Sequence, residues 1–187
     1  MIEIDRRSFN INLKQLITSL QSKRRPVISS ISQNQRIHFR KKDLNKTTLI
    51  ELQQVLRQQN IKLFRICYIF TTRFTTMRYL SSGREDDSCL LFMLGSKPSI
   101  GFIQNIIQVR DGELLLRISK VNTKDQLRLS FNNRKVLCPN IFYGDIDVND
   151  NSIFIKSESI IEKMVYVYNK KLKCYIFCRT PNLCESS

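Results

Sequence analysis

The spacing of hydrophobic positions changes near residue 60. Upstream of that point, Leu13, Leu16, Ile17 and Leu20 recur at the three-and-four spacing of one helix face. Lys23, Arg24 and Arg25 then suit a helix C-terminus, where cations meet the negative end of the dipole, and Pro26 stops the helix. A second helix is predicted from Thr48-Leu49-Ile50-Glu51, a capping box in which Thr and Glu satisfy reciprocal backbone donors. Leu49, Leu52, Val55 and Leu56 form its apolar face and Asn60 suits its end. Between the two helices, residues 26–42 carry Ser, Asn and Gln with a basic finish, and read as loop or as a short strand around Ile37 and Phe39.

From residue 61 onward the pattern is that of strands. Leu63–Phe70 and Phe74–Leu80 are rich in β-branched and aromatic residues, and polar Ser81-Ser82-Gly83 ends the second of these runs. Ser88–Leu94 makes the next strand. Phe102–Val109 and Leu114–Val121 flank Arg110-Asp111-Gly112-Glu113, and Asp-Gly is a strong hairpin signal because glycine readily takes the positive φ of the turn. Leu127–Phe131 and Arg134–Cys138 flank a second two-residue turn at Asn132-Asn133. Ser152–Lys156 is short, and Lys163–Tyr168 and Leu172–Cys178 surround Asn169-Lys170-Lys171. Short strands at such close spacing predict a mainly β protein, an antiparallel barrel or sandwich with an N-terminal helical basic extension, α+β overall. The domains are expected at 1–60 and 61–187, with the second folding without the first.

Eleven Phe and six Tyr among 187 residues are enough for a packed core. No stretch has the apolar length needed to cross a bilayer, and Met1-Ile2-Glu3-Ile4-Asp5-Arg6 lacks the layout of a secretory signal. The protein is therefore expected inside the cell, with no membrane partner. Its cysteines at 67, 89, 138, 174, 178 and 184 are expected to be free thiols, as is usual in a reducing compartment.

Charge changes the picture most. The net charge is +15, which creates a long-range field attractive to polyanions. Between Asp5 and Asp43 there is no acidic residue, while Arg6, Arg7, Lys14, Lys23, Arg24, Arg25, Arg36, Arg40, Lys41 and Lys42 are all present. Such a segment cannot neutralise itself locally, so phosphate is a natural counterion. Lys23-Arg24-Arg25 and Arg40-Lys41-Lys42 also resemble short nuclear-import signals. The competing reading is a solvated charge run without a single partner. A second acid-free stretch, from Gln53 to Arg84, mixes Arg65, Arg73 and Arg78 with Phe64, Tyr68, Phe70, Phe74 and Tyr79. On a strand, Phe74 and Arg78 would share one face and Arg73 and Tyr79 the other, able to hold phosphates and stack bases. Equally, the aromatics would be core and the arginines its rim.

Other chemistry is thinly represented. Cys174 and Cys178 would lie on one face of a strand but about 13 Å apart, too far for a shared zinc ion. Asp145-Ile146-Asp147-Val148-Asn149-Asp150 offers oxygens to a cation, as nuclease sites do, yet lacks the Gly and closing Glu of a calcium loop. His38 is the sole histidine, and neither common Gly-rich phosphate loop is present. The expectation is accordingly no catalytic residue, no metal, no cofactor and no small-molecule ligand.

Gly101-Phe102-Ile103, Ile160-Ile161-Glu162-Lys163-Met164-Val165-Tyr166 and the ending Arg179-Thr180-Pro181-Asn182-Leu183-Cys184-Glu185-Ser186-Ser187 resemble the C-terminal region of uncharacterised, transposon-associated animal proteins over residues 62–187. Ile155-Lys156-Ser157-Glu158-Ser159-Ile160 before a Val/Tyr strand is distantly similar to bromo-adjacent-homology modules of chromatin proteins. That resemblance implies a β-barrel binding module in a chromatin or mobile-element setting, hence the nucleus if the cell is eukaryotic, and assigns no site. The partner expected from charge is DNA or RNA, with Lys23, Arg24, Arg25, Arg40, Lys41 and Lys42 contacting phosphates and Arg73 and Arg78 supporting. The alternatives are a protein partner bound by β-addition, and a metal-dependent nuclease using the Asp145–Asp150 segment.

Overall fold

In a computed structural model of the chain, the residues described are 37–69, 72–82, 86–109, 112–131, 134–146 and 152–179. The Leu13–Leu20 helix expected from sequence, together with Lys23, Arg24 and Arg25, lies outside them. Among the described residues the protein is mainly β, a single antiparallel sheet of ten strands. In chain order these are β1 (Ile37–Lys42), β2 (Lys62–Ile69), β3 (Thr72–Thr75), β4 (Cys89–Leu94), β5 (Lys97–Gln108), β6 (Leu114–Phe131), β7 (Arg134–Ile146), β8 (Ser152–Lys156), β9 (Ile160–Asn169) and β10 (Cys174–Arg179). One α-helix, α1 (Lys46–Leu56), falls between β1 and β2.

The pairings β5–β4–β9–β10–β7–β6 return to β5, so six strands close into a ring. Outside it, β2 attaches to β5 and carries β1 on one side and β3 on the other, while β8 lies against β6. Cys89, Leu91, Ile100, Phe102, Val121, Met164 and Phe177, with part-buried Phe142 of β7, form a cluster drawn from all six ring strands, and it fills the ring. Phe102 is its centre, with ring centroids at 4.7 Å from Tyr166, 5.4 Å from Tyr175 and 5.8 Å from Phe177. A second cluster, including Cys67, Ile69, Phe74, Leu90, Phe92, Ile103, Ile106, Leu116 and Ile118, lies between the ring wall and β1–β3 and β8. Strand β5 is thus buried on both faces. Its register against β6 shifts between Ile103 and Asn105, and the added residue lets Ile103 and Ile106 serve the same cluster despite their odd spacing.

Close backbone approach at the closure is possible because Gly101 pairs with both Leu90 of β4 and Lys120 of β6. A Cβ there would meet Ser119 O at 2.9 Å and Phe92 Cε1 at 3.2 Å, and Ile118 Cγ2 closer still. The Gly101→Ala protein is expected to lose about 1–3 kcal/mol by overpacking, measured as the shift in urea midpoint at unchanged slope.

Several local expectations are corrected. Asn45, not Thr48, caps α1: its Oδ1 accepts from Thr48 N at 3.2 Å, so the helix starts three residues earlier than a Thr48 cap implies. The helix stops at Leu56 because Arg57 turns to the left-handed region at φ 52, well before Asn60. On its expected apolar face Leu52 is fully buried, but Val55 is 58% exposed. The predicted strand Phe74–Leu80 breaks after Thr75: Thr76 N donates to Arg65 O at 3.1 Å and Tyr79 N to Thr76 O at 2.9 Å, winding Met77–Ser82 into a 3-10 segment. Alternating faces therefore do not extend to Arg78 and Tyr79.

The change of pattern near residue 60 is not a seam in the packing. Leu52 of α1 fills a cluster with Ile61, Leu63 and Ile107, flanked by Leu49, Leu56 and Phe154. Among the described residues no helix is long and apolar enough to cross a membrane.

Candidate nucleic-acid interface

Strand β1 lies at one end of the sheet and pairs with β2 along its length, from Ile37↔Ile69 to Lys42↔Phe64. Ile37 and Phe39 turn towards the core, Phe39 with its ring 4.9 Å from that of Phe64. His38, Arg40, Lys41 and Lys42 are exposed. From Ile37 to Arg40 the exposure alternates, as period-two geometry requires of an edge strand with one buried face, and Lys41 departs from it.

Aromatic rings back the cations. The Arg40 guanidinium stands 5.2 Å from the Tyr68 ring centroid, a cation–π distance. Tyr68 is in turn the cross-strand partner of His38 on β1 and of Arg73 on β3. Lys41 takes a left-handed backbone at φ 52, and its Nζ donates to Tyr79 Oη at 3.0 Å while lying 4.9 Å from that ring. That contact joins β1 to the 3-10 segment carrying exposed Arg78. Lys62 and Arg65 add charge on β2. Of the acids between residues 37 and 66, Asp43 pairs with Arg65 at 3.6 Å and Glu51 with Arg117 at 2.9 Å. Arg40, Lys41 and Lys42 thus lie on the edge strand, and Lys41 reaches the segment that carries Arg78.

Arg73 has a different employment. Its Nε donates to Asp87 Oδ2 at 2.7 Å, and Lys163 of β9 forms an ion pair with Oδ1 of the same carboxylate and donates to Arg73 O at 3.2 Å. Asp87 is 2% exposed and Lys163 7%, so this is an interior ion cluster at the junction of β3, β4 and β9. Thr75 completes it, its Oγ1 accepting from Asp87 N at 3.1 Å. Burial pushes the neighbouring Asp86 carboxyl above its usual range, an effect opposed by Ser88 and Lys163. Sequence reasoning missed this cluster, although Asp86-Asp87-Ser88 directly before an apolar strand and Lys163 within one were both visible.

Asp145 closes on Lys124 as an ion pair, and residues 147–151 lie outside the described residues. Among the described residues no group of three or more His, Cys, Asp or Glu side chains is placed to hold a metal ion. Cys67, Cys89, Cys138, Cys174 and Cys178 are free; burial pushes the Cys67 thiol up to about 12 and raises the others. A thiol so raised is neutral at physiological pH and behaves as a small hydrophobe. Cys184 lies outside the described residues.

Compared with protein-family models, with curated proteins and with solved structures, the chain matches none.

Proposed function

We propose that the protein is a non-catalytic nucleic-acid-binding module that attaches through its basic N-terminal arm and the β1 edge. The observation that supports this reading most directly is the exposed run Arg40-Lys41-Lys42, backed by Tyr68 and Tyr79, at the end of a segment with no acid after Asp5. Lys23, Arg24 and Arg25 extend the same charge, and Arg78 lies on the 3-10 segment that Lys41 reaches. Arg73 supports the edge only indirectly, through its place beside Tyr68. Contacts of this kind position a protein on phosphates without reading sequence.

Peptide binding by β-addition is the weaker reading. Lys41 at positive φ interrupts the extended edge, and clustered cations on an edge strand discourage pairing with another strand. The nuclease reading is weakened by the Lys124 ion pair on Asp145. A closed barrel of bromo-adjacent-homology type, working on nuclear DNA or RNA in a chromatin or mobile-element setting, belongs to the same proposal through the sequence resemblance alone.

The test is polynucleotide binding at graded salt. About four phosphate contacts are expected to cost on the order of a hundredfold in affinity between about 50 and 200 mM salt. Replacing Lys23, Arg24, Arg25, Arg40, Lys41 and Lys42 by Ala should flatten that dependence. Arg40 and Lys42 are exposed and should leave stability within about 0.5 kcal/mol. Lys41 should cost about 1 kcal/mol through its bond to Tyr79. Wild-type protein that binds no polynucleotide at low salt overturns the reading.

A further inference from the structure

A second basic and aromatic surface lies on the β9–β10 hairpin. From Lys163 to Cys184 the chain contains no acid, and Lys170-Lys171-Leu172-Lys173 forms the turn between two tyrosine-bearing strands. The turn is built rather than loose. Asn169 is 3% exposed, and its Oδ1 accepts from Lys171 N at 3.0 Å and Leu172 N at 3.1 Å. Asn169 pairs with Cys174 across the hairpin, and Lys173 holds φ 48. All three lysines are exposed, and among the described residues none meets a carboxylate at ion-pair distance. The acid nearest in the pairing scheme, Asp145 beside Gly144 and so next to Tyr175, is engaged by Lys124.

Directly below the turn, Tyr168 is the cross-strand partner of Tyr175, with ring centroids 5.0 Å apart and planes at 57°. Tyr175 continues into the aromatic packing around Phe102, at 5.4 Å, so one side of Tyr168 is braced against the core of the ring. Yet Tyr168 is 47% exposed, whereas the neighbouring tyrosines are part-buried. An aromatic side chain packed on one side and open on the other, next to a hydrogen-bonded turn that carries three lysines, matches what an unstacked base and its flanking phosphates require. A base inside a duplex is already stacked and does not offer its face.

We propose that the β9–β10 hairpin is a single-strand platform, with Tyr168 stacking on a base and Lys170, Lys171 and Lys173 holding the adjacent phosphates. The proposal rests on the nucleic-acid reading and adds the strandedness of the ligand and a base-contacting residue. A turn ordered before binding loses little further freedom, so its cations hold phosphate at small entropic cost.

The experiment uses the full chain, with fluorescence anisotropy against a labelled oligothymidine strand, a duplex of the same length, and phosphatidylserine vesicles. Tyr168→Ala is expected to weaken single-strand binding by about five- to a hundredfold while changing duplex binding little, and Tyr168→Phe to restore it. Replacing Lys170, Lys171 and Lys173 by Gln is expected to lower the single-strand salt slope by about two. Circular dichroism of each variant checks the hairpin. Single-strand affinity unchanged in Tyr168→Ala, or lost equally for strand and duplex, overturns the platform and leaves the nucleic-acid reading intact. Wild-type protein that binds neither strand nor duplex brings down both, and lysine-dependent vesicle binding in that case assigns the hairpin to an anionic lipid surface instead.

Discussion

The Asp87→Ala protein is expected to lose about 3–5 kcal/mol of stability, which is much of the stability of a domain this size. Its carboxylate is the counter-ion that Arg73 and Lys163 share, and Asp87 and Lys163 are 2% and 7% exposed, so water does not readily replace it. Holding a charged ammonium inside without that carboxylate costs far more than the ion pair itself contributes. Two further measurements separate the charge from mere loss of volume. In Lys163→Met the cation goes too, and the Asp87→Ala/Lys163→Met double variant should cost clearly less than the sum of the singles, because the two groups form one unit. A loss below about 1 kcal/mol in Asp87→Ala would mean that the cluster is solvated and not interior. Because the cluster joins β3 to β4 and β9, the same substitution should also loosen the 3-10 segment, and with it Tyr79 and its hold on Lys41.

How far the sequence discloses the fold depends on how local the determining interaction is. The hairpin at Asp111-Gly112 was legible because glycine at φ 83 is a local necessity, and Val109 N closes it on Glu113 O at 3.0 Å. The reversal between β6 and β7 was legible in Asn132-Asn133, and Phe131 pairs Arg134. Strand β6 was not: Leu114–Val121 and Leu127–Phe131 read as two strands because Asn122–Gln126 is polar. It runs unbroken because β7 pairs with that middle stretch, and a paired backbone does not need apolar side chains. Strand β7 runs on past Cys138, where the sequence reading ended it, to Ile146. Pro139 falls where the β6–β7 register shifts, with Leu127 opposite Cys138 and Gln126 opposite Phe142, and there a missing N–H costs no ladder bond. The interior ion cluster was invisible because Asp87 and Lys163 meet only through the β4–β9 pairing. For the proposed interface, charge and its placement along the chain were legible; the diversion of Arg73 to Asp87 was not.

A chain of residues 61–187 is expected to lose cooperative folding or to melt far below the whole protein, although the change of hydrophobic pattern near residue 60 suggests the opposite. Removing the first sixty residues takes Leu49, Leu52 and Leu56 away from Ile61, Leu63 and Ile107, and takes Ile37 and Phe39 away from the cluster around Cys67 and Ile69. It also strips β2 of its pairing with β1, from Phe64 to Ile69, leaving backbone groups on that side open to another chain. Leu52 alone, fully buried, is expected to cost about 2–5 kcal/mol when replaced by Ala. Several such losses together approach the whole stability of a small domain, about 5–15 kcal/mol. Thermal melting of the 61–187 chain beside the whole protein, with Leu52→Ala as the intermediate case, decides the matter. A melt within a few degrees of the whole protein would show that β1 and α1 are dispensable. If the truncated chain collapses as expected, Arg40, Lys41 and Lys42 are not carried on a free tether but are fixed on a strand of the sheet. Their spacing relative to Tyr68 and Tyr79 is then set by the fold before any phosphate arrives, and disrupting the core under β1 should weaken binding without removing a single positive charge.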